Sequence, residues 1–247
     1  MPVVAFLRIS AIVALLCLAS LASAAPAPQA AAEPGAPTAA FSWTAQITRS
    51  VAVRKAPRDD AKVAARVTTY TAFWRRAQQL MVLSAVQTDP ATGRRWVLVR
   101  LPGRPNLAQG FVPLDAVKLR ATRTRIVVRL GARKVELWKS GRRVARYAAS
   151  VGTGSTPTPT GLFAVQDPVP SADFQRSYLG PYIITLTAYS PVLTSFMGGN
   201  GLVAIHGTNA TGLLGQAVSH GCVRITNAAV TRLYRTVAPG TPVEILR

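Results

Sequence analysis

The 247-residue sequence predicts a mainly β protein, with a small barrel in its first half and a β-rich second half carrying one short helix. Three observations predict this. Short runs of Val, Leu and aromatic residues recur between turn signals from Trp43 to Leu119; apolar and polar residues alternate more sharply from Arg125 onward; and helical spacing of apolar residues stands out at one place, Val230, Leu233, Tyr234 and Val237.

Taken in order, residues 1–24 read as a secretory signal peptide. Arg8 supplies the positive end, Ile9 to Leu21 the apolar stretch, and Ala22-Ser23-Ala24 the small residues before a cut ahead of Ala25. Cys17 follows the bulky Leu16, where lipoprotein processing wants a small residue, so Cys17 is expected to leave with the signal. The alternative is an uncleaved anchor, for which the apolar stretch is short. Residues 25–42, nearly all Ala and Pro at first, read as an extended tether.

Residues 43–120 hold strand candidates at Val51 to Val53, Leu80 to Val86, Trp96 to Leu101 and Phe111 to Val112, with Asp89-Pro90-Ala91-Thr92-Gly93 as a turn. Several short strands in so short a stretch predict a small barrel. Val53-Arg54-Lys55-Ala56-Pro57, then Trp96, then Gly110-Phe111-Val112 loosely resembles a bacterial SH3-like domain. That resemblance implies either a weak binder of wall peptides or a spacer.

In residues 123–247, Ile126 to Leu130, Lys134 to Trp138 and Arg142 to Val151 read as a meander turning at Gly131-Ala132-Arg133 and Ser140-Gly141. Gly152 to Gly161 is a small-residue loop, and Leu162 to Val165, Tyr182 to Thr187 and Leu202 to His206 are strands. Ala188 to Gly201, ending in Gly198-Gly199-Asn200-Gly201, is either a lid over a site or an ordinary long hairpin loop. Asn227 is placed to cap the helix and Pro239-Gly240 to end it.

Charge is lopsided, with 29 Lys and Arg against 9 Asp and Glu. Such a surface favours anionic partners or serves solubility alone. Export removes most opportunity to meet nucleic acid, which leaves anionic wall polymers and lipid headgroups as counter-charge. With Cys17 removed, Cys222 has no disulfide partner, so folding rests on the core. The sequence sets no oligomeric state.

The only two histidines, His206 and His220, lie close to Cys222, the second within Ser219-His220-Gly221-Cys222-Val223-Arg224. A lone thiol with imidazole nearby is the composition of a nucleophilic site. Lowering the thiol pKa by two units takes about 2.7 kcal/mol, and an imidazolium at about 4 Å supplies on the order of 4 kcal/mol before desolvation. One histidine therefore suffices. His206 ends an apolar strand and is expected to be the base, leaving His220 to pack or position. Gly221 permits unusual backbone angles and an accessible amide, as an oxyanion-binding turn requires. No carboxylate occurs between Asp173 and Glu244, so a carbonyl near Gly207 is expected to orient the ring. The site is expected to be net positive through Arg224.

Ile205-His206-Gly207-Thr208, a gap of thirteen residues from His206 to His220, and Ser219-His220-Gly221-Cys222-Val223-Arg224 together resemble the signature of the L,D-transpeptidase (YkuD-type) catalytic domain. Val151-Gly152-Thr153-Gly154 and Pro157-Thr158-Pro159-Thr160-Gly161 with Phe163 resemble that family's upstream segment. The resemblance implies a β-sandwich acting on peptidoglycan stem peptides in the cell envelope, through a thioester on Cys222 with His206 as proton carrier. It further implies amides around Cys222 as oxyanion donors. Arg224 would bind a stem carboxylate or brace the loop, and Ser219 and Thr208 would be substrate-binding residues acting as hydrogen-bonding supports. Gly207 stands where some relatives carry Ser. No cofactor or metal is implied.

Other readings compete. Water as acceptor makes the same site an L,D-carboxypeptidase. In an NlpC-type endopeptidase the cysteine comes before the histidine, the reverse of the order here. His206, His220 and Cys222 could serve as zinc ligands, but match no compact zinc motif. A non-catalytic wall-binding protein would not need the complete Cys and His pair.

Overall fold

The computed structural model describes Met1 and residues 33–195 and 198–247. The expected signal segment, Cys17 and the first part of the Ala/Pro tether lie outside the described residues. Glu33 to Arg247 form one compact unit containing two hydrophobic cores. Among the described residues no helix is long and apolar enough to cross a membrane.

The first core belongs to an N-terminal β-module of eight strands: β1 (Ser42–Ile47), β2 (Val51–Arg54), β3 (Val63–Val67), β4 (Gln79–Met81), β5 (Gln87–Thr88), β6 (Arg95–Arg100), β7 (Gln109–Pro113) and β8 (Val117–Thr122). They make a three-stranded sheet, β4-β1-β8, and a five-stranded sheet, β3-β2-β7-β6-β5. A bridge between Val82 and Val99 joins the two. Both sheets send alternate side chains inward, so Ala45, Ile47, Leu80, Val97, Val99 and Val112 bury one another. The turn before β6 forms as its residues dictate. Asp89 accepts from the Ala91 amide and the Thr92 hydroxyl, and Gly93 takes φ 69°. The end of the Ala/Pro segment rests on this module: Pro34 is buried and Glu33 pairs with Arg95.

The second core lies under a sheet of eight strands. β9 (Thr124–Arg129), β10 (Lys134–Lys139) and β11 (Arg142–Ala148) form the antiparallel meander, turning through positive φ at Arg133 and at Ser140-Gly141. β12 (Val151–Gly152) leaves this sheet to pair in parallel with β16 (Ala217–Ser219). β13 (Gly161–Pro170) pairs with β14 (Tyr182–Tyr189), and β14 with β15 (Leu202–His206), both antiparallel. β15 runs parallel to β17 (Val223–Arg224), and the C-terminal β18 (Pro242–Leu246) inserts between β9 and β13. An extra residue on β13 between Val165 and Pro168 breaks the register against β14. Such a bulge bends the sheet so that it curls over its own core.

On the meander, Glu136 is buried and met by Arg129, Arg143, Arg146 and the Trp138 indole. One carboxylate thus gathers three cations, leaving the patch basic.

Helix α2 (Asn227–Tyr234) packs Ala229, Val230 and Leu233 into the second core. Its cap is Thr226, whose hydroxyl accepts from the Ala229 amide, and not the expected Asn227. Asn227 is the first helical residue and donates its side-chain amide to Asn209. The helix stops at Tyr234, several residues before Pro239-Gly240. A second helix, α1 (Arg176–Leu179), was not expected; its four residues are too few to show a period.

Candidate active site

β15 and β17 place the predicted pair. Their parallel register sets Ile205 beside Val223 and His206 beside Arg224. Side chains alternate along each strand, and Val203, Ile205, Val223 and Ile225 all point into the core. The opposite face therefore presents Ala204, His206, Cys222 and Arg224 together. His206 and Cys222 share a cleft of about 1050 Å³ with Thr208, His220 and Arg224. His206 is buried and Cys222 half-buried.

The His206 ring is fixed by a hydrogen bond of 2.7 Å between Nδ1 and the Gly207 carbonyl. A carbonyl only accepts, so Nδ1 carries the proton and Nε2 keeps its lone pair. Asp173 and Glu244, the carboxylates flanking this stretch in sequence, pair elsewhere, with Arg176 and Arg125. Gly207 is held in a slot. A Cβ there would lie 2.2 Å from Asn227 Oδ1, and one on Gly180, which has φ 68°, would lie 2.7 Å from Gly207 Cα.

Electrostatics correct one expectation. Burial pushes the His206 pKa down to about 4; the Gly207 carbonyl resists and the nearby Arg224 charge adds to the fall. Burial pushes the Cys222 thiol up, against a backbone hydrogen bond from Ala204 and the Arg224 charge, which lower it. Thiol and imidazole are therefore both neutral at pH 7, and not the ion pair expected from Coulomb attraction alone. Two reasons apply: desolvation penalises both ions, and Arg224 repels the imidazolium that the thiolate would need.

The turn carrying Cys222 is tied from within. Ser219 Oγ donates to the Cys222 carbonyl at 2.5 Å and accepts from the Gly221 amide at 3.2 Å. Gly221 has φ 116°, which a residue with a Cβ rarely adopts. These bonds change two expected roles. Ser219 is buried with its hydroxyl engaged at both ends and does not line the cleft, so it positions the turn instead of touching substrate. The Gly221 amide is engaged, so an oxyanion would fall to the Cys222 amide, which makes no hydrogen bond among the described residues. Thr208 is buried at the cleft and accepts from the Ala210 amide. His220 is exposed at the cleft wall. Arg224 is half-buried and its backbone pairs twice with Ser150.

Sequence reasoning missed the brace beneath this turn. Thr158 Oγ1 donates to the Gly221 carbonyl at 2.9 Å while accepting from the Gly152 amide, and Thr156 Oγ1 donates to the Ser219 carbonyl. The Gly152-to-Gly161 segment stands out as a motif, yet nothing in its spacing reveals that its threonines reach residues 63 positions away. Ser190, Leu193, Thr194, Ser195, Gly198, Gly199, Asn200 and Gly201 border the cleft, and the Ser190 amide donates to the Gly201 carbonyl. Among the described residues no three His, Cys, Asp or Glu side chains are grouped to hold a metal ion.

The family model for the YkuD L,D-transpeptidase catalytic domain matches residues 123–245. A Bacillus licheniformis protein bearing the name L,D-transpeptidase YkuD is 34% identical over 123 residues, 49% of this chain and 64% of its own length. Its namesake in Bacillus subtilis is 36% identical over 122 residues, 49% of this chain and 65% of its own. The chain thus covers just under two thirds of each. A crystal structure of an L,D-transpeptidase from Mycobacterium tuberculosis aligns at 17% identity and a TM-score of 0.42, over 69% of this chain and 90% of the other.

Proposed function

We propose that the chain, whose residues 123–245 match the model of the YkuD L,D-transpeptidase catalytic domain, is an exported, cysteine-dependent acyltransferase that crosslinks peptidoglycan stems. The observation that carries this reading is the pairing of β15 with β17. It puts Cys222 and His206 on one face, at one cleft, with the His206 proton assigned to Nδ1 by the Gly207 carbonyl.

Cys222 Sγ attacks the carbonyl of the third stem residue, at the L-centre of a diamino acid, in a tetrapeptide donor. As the S–C bond forms, the thiol proton passes to His206 Nε2, so the thiolate need not exist beforehand. The Cys222 amide receives the oxyanion. The C–N bond to D-Ala then breaks, and the departing amine takes the proton from Nε2, leaving a thioester. An amine of a second stem attacks, His206 takes its proton, and the expelled sulfur regains it, giving a 3→3 crosslink.

Arg224, a cation at the cleft that pairs with no carboxylate among the described residues, attracts a stem carboxylate. The basic surface adds a general attraction to anionic wall polymers.

Water in place of the second amine would give an L,D-carboxypeptidase with the same thioester. Incubation with a purified tetrapeptide muropeptide, read by mass, tests the proposal. A crosslinked dimer supports it, a tripeptide alone selects the hydrolase, and an unchanged substrate with folded protein overturns both.

A further inference from the structure

The cleft at Cys222 is not built by the catalytic domain alone: Phe73 and Trp74, from the loop between β3 and β4, line it as well. This loop is a small hairpin of its own, closed by a bridge between Tyr70 and Ala77 and by bonds from the Thr71 amide to Arg76 and from the Gln78 amide to Thr69. At its tip the two rings stand 5.8 Å apart at 57° and are 58% and 39% exposed. Neither belongs to a core. A pair of large aromatic side chains held in water beside a reactive site has a use other than packing.

The hairpin is also fixed in place. Thr71 Oγ1 donates to the fully buried Asp167 on β13 at 3.3 Å. A second loop of the same module holds another part of the cleft's border. Asn106 makes paired hydrogen bonds with the Tyr189 backbone at 2.7 and 2.8 Å, and Arg104 donates to the carbonyls of Ser190 and Leu193. The N-terminal module therefore anchors the start of the segment that borders the cleft and supplies part of the cleft's lining.

We propose that Phe73 and Trp74 form a recognition wall for the apolar face of the N-acylated amino-sugar ring that carries the stem. The proposal rests on the stem-peptide reading above. In a stem attacked at its third residue, three extended residues reach about 10 Å toward the sugar. The pyranose ring is the large rigid group found there, and its C–H face packs on aromatic rings as a flat apolar surface. The cleft, about 1050 Å³, is at or beyond the upper end of the roughly 300–1,000 Å³ of ordinary small-ligand pockets. It therefore has room for more than a bare tetrapeptide.

The test compares kcat/KM on a disaccharide-tetrapeptide with kcat/KM on the same tetrapeptide lacking sugar. It uses the full mature chain as wild type, as the double variant Phe73→Ala/Trp74→Ala and as Trp74→Phe. The wild type is expected to favour the sugar-bearing donor by about tenfold, equivalent to about 1.4 kcal/mol. The double variant loses this preference, and Trp74→Phe keeps most of it. Since both side chains are exposed, thermal unfolding of the variants stays at the wild-type value, and a ratio measured on folded protein is decisive. A wild type indifferent to the sugar, or a preference that survives the double substitution, overturns the proposal while leaving Cys222 acylation intact. Failure of both donors to acylate wild-type Cys222 overturns the underlying reading and this proposal with it.

Discussion

The Nδ1 of His206 is bound by the carbonyl of its own neighbour, Gly207, at 2.7 Å. The group that orients this ring is therefore backbone and carries no charge. A carboxylate in that place would stabilise an imidazolium; a carbonyl does so weakly, and Arg224 opposes it. On the mechanism proposed above, the pair is thus set for proton transfer during attack, not for a stored thiolate.

One expected outcome concerns the acid limb of activity. His206 can accept a proton only when neutral, and its pKa is pushed down to about 4. The kcat/KM profile on a stem donor is expected to fall on acidification with a midpoint near that value, well below the ordinary histidine range. Alkylation of Cys222 by iodoacetamide, which needs the thiolate, is expected to stay slow at pH 7 and to rise only above the usual thiol range, because burial raises the thiol. A thiol that is fully reactive at pH 6 would contradict the neutral resting pair.

The same group links stability to pH. Its folded value, about 4, lies below its ordinary 6.5, so between these values the unfolded chain binds the extra proton. The stabilisation is present above about pH 6.5 and drains as pH falls through about 4, up to about 3 kcal/mol. Melting temperatures measured from pH 7 to pH 4 should fall less steeply in His206→Gln, which has nothing to titrate there. Equal slopes would refute the linkage.

Arg224 lowers both His206 and Cys222. Replacing it by Gln is expected to raise both. The acid limb of the rate profile then moves to higher pH, thiol alkylation moves further into the alkaline range, and KM for a carboxylate-bearing stem increases. A change in KM with an unmoved pH profile would mean that Arg224 meets substrate without acting on the pair.

Much of this was readable from residue order, and the unreadable part has a physical cause. The strand Leu202 to His206, the single-residue gap between His220 and Cys222, and the missing carboxylates are local facts, and they led to His206, Cys222 and a carbonyl near Gly207. The positive charge that Arg224 brings to the site is legible in the sequence, but desolvation and its repulsion of the imidazolium appear only when depth and register are known. Thr226 and Asn227 are both good caps, and only tertiary contact with Asn209 sends Asn227 elsewhere. Thr158 reaching Gly221, Asn106 reaching Tyr189 and Phe73 reaching the cleft join residues remote in the chain. No spacing rule encodes such contacts.

The last expected outcome isolates Gly207. Adding one methyl group there brings Cβ to 2.2 Å from Asn227 Oδ1 and 3.0 Å from Gly180 Cα. Something must move, and the carbonyl holding His206 belongs to the residue that is displaced. Gly207→Ala is expected to lower stability by about 1–3 kcal/mol and to slow acylation of Cys222 by a carbapenem, read as mass added to the intact protein. Adding Asn227→Ala removes the closer obstacle but leaves the Gly180 backbone, so stability recovers only in part. If the double variant regained stability but not acylation rate, the orientation of His206 would be separated from packing. If Gly207→Ala acylated at the wild-type rate, the carbonyl would not be what aims the ring.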